Sequence, residues 1–181
     1  MAALRLIKKY YPEDSKAYKI LVKHGKAVFN KAREIAENNP HLEVDLTFLE
    51  EAAMLHDIGI FMTHAPEIGC HGEHPYISHG YLGRELLEKE GFHRHAKVCE
   101  RHTGVGLSQT EIERQNLPLP KRCMLPKSVE ERLVCFADNF FSKSHHDLAE
   151  EKSIKTVRKG LEKYGKHQVE AFDKLVLEFL N

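Results

Sequence analysis

Apolar residues recur every three or four positions along most of this chain, a spacing that places them on one face of an α-helix. The clearest stripe lies in a long predicted helix over about residues 13–37, which the Asn39-Pro40 pair ends. Its apolar members are Ala17, Ile20, Leu21, Ala27, Val28, Ala32, Ile35 and Ala36. No segment shows the alternation of apolar and polar residues that is typical of a strand. The pattern therefore predicts an all-α protein.

Capping residues and helix breakers divide the rest of the chain into further helices. Asp45 is expected to cap a helix that Gly59 ends, and Ser128 to begin a helix that runs to about residue 143. Other helices are predicted over about residues 4–9, 76–90, 93–102, 110–115, 148–159 and 166–180, with loops at 60–75 and 105–127. We predict one helical domain over residues 1–181, with a core at about 15–145 and a helical cover at 146–181.

Composition and charge exclude several classes of protein. Lys plus Arg and Asp plus Glu each number 27, so the chain lacks the basic excess of a protein that binds duplex nucleic acid. No apolar run approaches the roughly 18 residues that a membrane span needs. The four cysteines show no paired spacing and no signal peptide precedes them, so we expect reduced thiols and a cytoplasmic protein.

Polar residues on the predicted apolar faces suggest a metal site. The chain has 13 histidines, and several of them interrupt apolar stripes. Six inward residues of ligand type lie on five predicted helices: His24, His56, Asp57, His79, His102 and Asp138. Any one of them could be a hydrogen-bonded core residue or a helix cap. Together they favour a divalent transition metal, because imidazole and carboxylate suit iron, manganese, zinc, cobalt or nickel, and coordination would offset the cost of burial.

The segment LHDIG at residues 55–59 resembles the signature of the HD-domain metal-dependent phosphohydrolases, in particular their HDIG branch. The order of the other candidate ligands also matches that family over about residues 15–145. In that family one ion is held by an early histidine, the His-Asp pair and a final aspartate. The resemblance therefore implies that His24, His56, Asp57 and Asp138 hold one ion here. It further implies that His79 and His102 hold a second ion, with Asp57 bridging the two, and that His56 and Asp57 are catalytic.

The chain departs from the HDIG pattern in two places. Many HDIG members have a lysine after the glycine, whereas Ile60 occupies that position here. The GYP segment of the cyclic-dinucleotide phosphodiesterases is also absent, and HGYLG at residues 79–83 matches it only in part. The dinucleoside-tetraphosphate hydrolases of the same superfamily are a second group that this chain resembles, in fold and in the order of the ligands alone.

These features predict a metal-dependent phosphohydrolase whose partner is a small phosphorylated molecule, with nucleotides among the candidates. An activated hydroxide would attack phosphorus. Arg101 and Lys143 are the predicted phosphate-binding cations, although the more ordinary interpretation of each is a solvated surface charge. Two alternatives use the same residues: a diiron oxygenase, and a non-catalytic module that senses a nucleotide. The sequence leaves open whether the chain forms a homodimer.

The loop at residues 63–74 has three interpretations, because it concentrates His64, Cys70, His71 and His74. It could form a lid that supplies a histidine as general acid. It could form a separate zinc site through Cys70, His71 and His74. It could also be a polar surface loop.

Overall fold

The computed structural model describes residues 2–143 and 149–180. Within these ranges the helices are α1 (Ala2–Tyr10), α2 (Lys16–Asn38), α3 (Leu46–Leu55), α4 (His79–Lys89), α5 (His93–Arg101), α6 (Gln109–Arg114), α7 (Val129–Asp138), α8 (Ile154–Glu162) and α9 (Lys166–Phe179). Short 3₁₀ turns at 40–42, 58–62, 66–68 and 76–78 join them. The all-α prediction is confirmed. Among the described helices, none combines the length and the apolarity that crossing a membrane requires.

Polar side chains cap several helices at the positions that the sequence indicates. Ser15 Oγ accepts a hydrogen bond from the Tyr18 amide at 3.1 Å, and Asp45 Oδ1 accepts one from the Phe48 amide at 3.0 Å. Such a cap satisfies an amide that the first helical turn leaves unpaired. The starts of α2 and α3 therefore follow from local chemistry.

The apolar side chains form two clusters, and the candidate ligands lie where the clusters meet. One cluster contains Val28 and packs α2, α3 and α7 against α8 and α9. The other contains Leu21 and Leu55 and joins α1, the first turns of α2, the end of α3, α4 and α5. His24 lies on α2 between Leu21 and Val28, and His56 directly follows Leu55. The polar residues are therefore surrounded by core on two sides.

Several predicted boundaries were wrong. Helix α3 ends at Leu55 rather than Gly59, and α7 ends at Asp138 rather than near residue 143. After Asp138 the chain turns tightly, since the Phe140 and Phe141 amides donate to the carbonyls of residues three positions earlier. Helix α8 begins at Ile154, where Ser153 caps it. The predicted start at residue 148 lies outside the described residues.

The loop at 60–75 contains a small hairpin that the sequence did not predict. Strands β1 (His64–Ala65) and β2 (Cys70–His71) pair antiparallel, with His64 opposite His71 and Ala65 opposite Cys70. Two residues are too few for a period of two to be visible in the sequence.

Candidate metal centre

The structure brings all six predicted ligands together. Nε2 of His24 lies 2.7 Å from Oδ1 of Asp138, and Nε2 of His56 lies 3.1 Å from Oδ2 of Asp57. Nε2 of His79 and Nε2 of His102 lie 3.3 and 3.4 Å from Oδ1 of Asp57. The helices that carry these residues meet here because their apolar stripes pack in the two clusters on either side.

The ligand atoms fall into two groups that share Asp57. His24, His56, Asp57 and Asp138 form one group, and Asp57, His79 and His102 form the other, each with its ligand atoms within 4.8 Å of one another. We call them the first and the second cluster. Oδ2 of Asp57 faces His24 and His56, while Oδ1 faces His79 and His102. The carboxylate therefore lies between the two groups, as a bridging ligand would.

Backbone carbonyls orient three of the four imidazoles. Nδ1 of His56, His79 and His102 donates to the carbonyl three residues earlier, at 2.6, 2.7 and 2.7 Å respectively. A carbonyl oxygen can only accept, so Nδ1 carries the hydrogen in each ring. In the neutral ring Nε2 then presents its lone pair to the centre. This is the usual arrangement by which outer hydrogen bonds fix a metal-binding imidazole.

Burial and charge set the protonation of the centre. Burial lowers the pKa of His24 and of His79 to about 4, so both rings are neutral near pH 7. Burial also opposes ionisation of Asp57, but His56 and Lys143 hold its pKa well below the usual range. Burial disfavours the charged form of His56 as well, yet the two adjacent carboxylates raise its pKa to about 10. The centre therefore holds ionised carboxylates and neutral rings at His24 and His79, and an ion would compete with a proton at His56.

Several buried polar atoms of the centre lack a hydrogen bond. Nδ1 of His24, Nε2 of His56 and both carboxylate oxygens of Asp57 have no partner in hydrogen-bond geometry within the described part of the chain. Most buried polar atoms in proteins are satisfied, so this concentration needs a cause. Three of the four belong to the predicted donor set of nitrogen and oxygen atoms, which suits transition metals. The residues present therefore fit the predicted ions.

Close approach of backbones at glycines brings the second cluster to the first. A Cβ on Gly59 would lie 2.2 Å from the His79 carbonyl oxygen and 2.6 Å from the Gly83 amide nitrogen. A Cβ on Gly83 would meet Sγ of Cys99 at 2.4 Å, and one on Gly80 would meet the Cys99 carbonyl oxygen at 2.8 Å. Helix α4 thus lies directly against the turn after Asp57 and against α5, which carries His102 at its end.

The two predicted cations have different environments. Lys143 Nζ lies 2.8 Å from Oδ2 of Asp57 and 3.7 Å from Oδ1 of Asp138, with 14% of its side chain exposed, so it is not a solvated surface charge. The tight turn after α7 directs it inward. Arg101 instead donates to both carboxylate oxygens of Glu131, at 3.0 and 2.8 Å, and is absent from the cavity wall in the part of the chain described. Its predicted role in binding phosphate is therefore not supported by its position.

A cavity of about 510 Å³ opens beside the centre. His79, His102, Asp138 and Lys143 line it on the side of the metal ligands. Much of the remaining wall is apolar or aromatic, and consists of Tyr76, Ile77, Leu107, Leu117, Phe141, Leu161 and Tyr164. Polar groups also reach it, from Thr103, Glu111, Gln115, Asn139, Lys152 and Gln168. Sequence reasoning did not identify these wall residues, because no local pattern connects them.

The structure does not support a separate zinc site in the loop at 63–74, which was one of the three interpretations of this loop. Cys70 is buried, whereas the next residue, His71, is exposed, as expected for neighbours on a strand that point to opposite faces. Within the described ranges, the groups able to hold a metal are the two clusters above, and neither includes this loop. His64, His71 and His74 are exposed and do not line the cavity. The polar surface loop is the interpretation that fits these positions.

If each cluster binds one ion, the division of ligands predicts which ion each substitution removes. His56→Ala should remove the first ion, because His56 belongs to the first cluster only. His79→Ala should remove the second, with circular dichroism nearly unchanged. Elemental analysis of protein expressed with manganese or iron supplied measures both. Full metal content in both His79→Ala and His102→Ala would show that the centre binds a single ion.

Comparisons with known proteins identify the family of the chain. A model of the HD domain matches residues 21–142. An uncharacterized protein of Methanocaldococcus jannaschii is 37% identical over 122 residues, which are 66% of this chain and 64% of that protein. The tRNA (cytidine(56)-2'-O)-methyltransferase of Picrophilus torridus is 31% identical over 144 residues, covering 74% of this chain and 38% of that protein. The enzyme of the same name from Thermoplasma volcanium is 30% identical, covering 77% of this chain and 35% of its own length.

The chain thus spans less than two thirds of each of these relatives. No solved structure gives a significant match.

Proposed function

The chain belongs to the HD-domain family, and from this premise we propose that it is a metal-dependent phosphohydrolase. The proposed reaction is hydrolysis of a phosphate ester or anhydride in a nucleotide or another small phosphorylated molecule. One observation carries the proposal: the six candidate ligand residues, of which five are buried and Asp138 is partly buried, converge around a shared Asp57 beside a cavity large enough for such a substrate.

We assign the metal ligands by cluster. His24, His56, Asp57 and Asp138 would hold one divalent ion, and Asp57, His79 and His102 a second. Divalent ions supply an activated water near neutral pH and neutralise charge that develops on phosphoryl oxygens. Carbonyl hydrogen bonds hold the imidazoles of His56, His79 and His102 for this task, and the surrounding apolar clusters exclude bulk water.

Lys143 is the proposed phosphate-binding cation. Its ammonium is charged near pH 7, because burial is outweighed by Asp138 and Asp57, which raise its pKa well above the usual value. It lines the cavity next to His79 and His102. Lys143 would therefore provide, from the turn after α7, the positive charge that the HDIG lysine gives in many family members and that Ile60 cannot give here.

The cavity wall favours a nucleotide over a sugar phosphate. A nucleobase presents planar, weakly polar faces that aromatic and aliphatic side chains can cover. Tyr76 and Tyr164 supply aromatic rings, and Leu107, Leu117 and Leu161 supply aliphatic surface. A sugar would need a denser set of hydrogen-bonding groups, since unpaired hydroxyls are costly to bury.

The methyltransferase name of two relatives is not extended to this chain. It describes proteins of which the chain covers 38% and 35%. Their name is a reason to include nucleotides derived from RNA in the substrate panel.

A phosphate-release screen tests the proposal. Protein stripped with a chelator and restored with manganese, iron, cobalt, nickel or zinc should release phosphate, or a nucleotide product, from at least one nucleotide in a panel that also includes sugar phosphates.

Lys143→Met should raise KM for that substrate by about tenfold or more, since a charged hydrogen bond to phosphate is lost. Lys159→Met, which removes an exposed lysine of α8, should leave KM unchanged.

Restored protein that turns over no member of the panel would contradict the proposal. Oxygen uptake by the iron-loaded protein would then identify the oxygenase alternative.

A further inference from the structure

A buried carboxylate lies beside the second cluster without contacting it. Glu100 is 2% exposed and sits on α5, two residues before His102. Arg84 of α4 donates to its Oε2, and Arg122 donates to its Oε1 with Nε at 2.7 Å. Since a buried carboxylate is costly unless it is paired, the two arginines offset the cost of keeping it inside.

This ion pair links the two helices that carry the second-cluster histidines. Arg84 lies on α4, which begins at His79, and Glu100 lies on α5, which leads into His102. The Nε2 atoms of the two rings are 3.0 Å apart, and both face the same oxygen of Asp57. A slide of one helix along the other by a fraction of a turn would separate these atoms.

The ion pair adds a directional contact to the close packing of the two helices. A Cβ on Gly80 or on Gly83 of α4 would lie too close to Cys99 of α5, so the two helix surfaces are in direct contact. Apolar contacts such as those of Leu86 and Ala96 are not directional. A charged hydrogen bond from a guanidinium is directional, so the pair with Glu100 can hold the helices at one relative position.

We infer that Glu100, held between Arg84 and Arg122, is a positioning residue for the second metal site. It acts through the relative placement of His79 and His102. The first cluster does not depend on it in the same way, because His24 and Asp138 lie on α2 and α7. Helix α5 is joined to α7 by a different pair, Arg101 with Glu131.

The inference rests on the two-cluster metal site proposed above, and metal titration of the full chain tests it. Chelator-stripped wild type, Arg84→Met and Glu100→Gln would be titrated with Mn²⁺ by calorimetry, with elemental analysis of the product. Loss of a group that hydrogen-bonds a metal ligand directly weakens metal affinity about 10- to 100-fold. Glu100 contacts neither histidine, so we expect a loss near the lower end of that range, about 10-fold, for the second ion and less than about a twofold change for the first.

Two further variants separate positioning from general stability. Arg132→Met breaks the ion pair of Arg132 with Glu178, which joins α7 to α9 away from the centre. It should lower Tm and leave both Mn²⁺ affinities unchanged. Arg84→Lys keeps the charge and should restore part of the second-ion affinity. Arg84→Met leaves Glu100 paired with Arg122, so it remains a test even if Glu100→Gln does not fold.

Three results would overturn the inference. The first is an Arg84→Met protein that binds the second ion with wild-type affinity. The second is an equal loss of affinity for both ions, in proportion to the loss of Tm. A wild-type protein that takes up a single ion is the third, and this result alone would also remove the two-ion site on which the proposed function relies.

Discussion

Asp57→Asn is expected to abolish hydrolysis and to lower the content of both metal ions. Asp57 is the residue common to the two clusters, and its two oxygens face different pairs of histidines. An asparagine has the same shape, but it is neutral and offers one oxygen, so both clusters lose a charged ligand. Loss of charge stabilisation of this kind costs about 10²–10³-fold in rate or more. Phosphate release and elemental analysis of the purified variant measure the two effects.

The fold should survive this substitution, because the apolar clusters that hold α2, α3 and α7 together do not include Asp57. Far-ultraviolet circular dichroism should therefore match that of the wild type. Retention of one full equivalent of metal would show that Asp57 serves a single ion. Retention of wild-type activity would remove Asp57 from the mechanism altogether.

Gly59→Ala is expected to displace α4 and to destroy the second cluster. The new Cβ would meet the His79 carbonyl oxygen at 2.2 Å and the Gly83 amide nitrogen at 2.6 Å. Both atoms belong to the backbone, so no side-chain rotation can relieve the overlap, and α4 must move away from Asp57. Overpacking of a buried site typically costs about 1–3 kcal/mol, and the backbone clash places this variant at the upper end of that range. Thermal unfolding and the content of the second ion measure the result.

Gly160→Ala is the matched control. A Cβ on Gly160 meets no atom within 4 Å, and the residue lies inside α8. Alanine is favoured over glycine in a helix by about 0.5–1 kcal/mol, so this variant should be slightly more stable than the wild type. A Gly59→Ala protein with wild-type Tm and two bound ions would show that α4 does not depend on this close approach.

The sequence by itself determined the helical fold and identified the six candidate ligand residues that the structure brings together. Helix periodicity is local, so a polar residue such as His24 within the apolar stripe of α2 can be recognised without knowing what it contacts. The start of α2 at Ser15 and that of α3 at Asp45 are equally local, since each cap bonds an amide three residues ahead.

The tertiary structure decided which charges reach the site. Lys143 and Arg101 were equivalent candidates in the sequence, yet Lys143 contacts Asp57 while Arg101 pairs with Glu131. This outcome depends on where α7 ends and how the chain turns after Asp138, and on which carboxylate lies across the helix interface. The sequence predicts that Gly59 ends a helix, whereas in the structure the lack of a side chain at Gly59 allows the backbone of α4 to lie against it.

The physical reason is the range of each interaction. Burial of a helix face depends on residues three or four positions apart, which periodicity records in the sequence. Pairing of Lys143 with Asp57, of Glu100 with Arg84, and of Gly59 with the backbone at His79 joins residues from separate elements. Such pairings exist only once the helices have packed, and no local pattern in the chain specifies them.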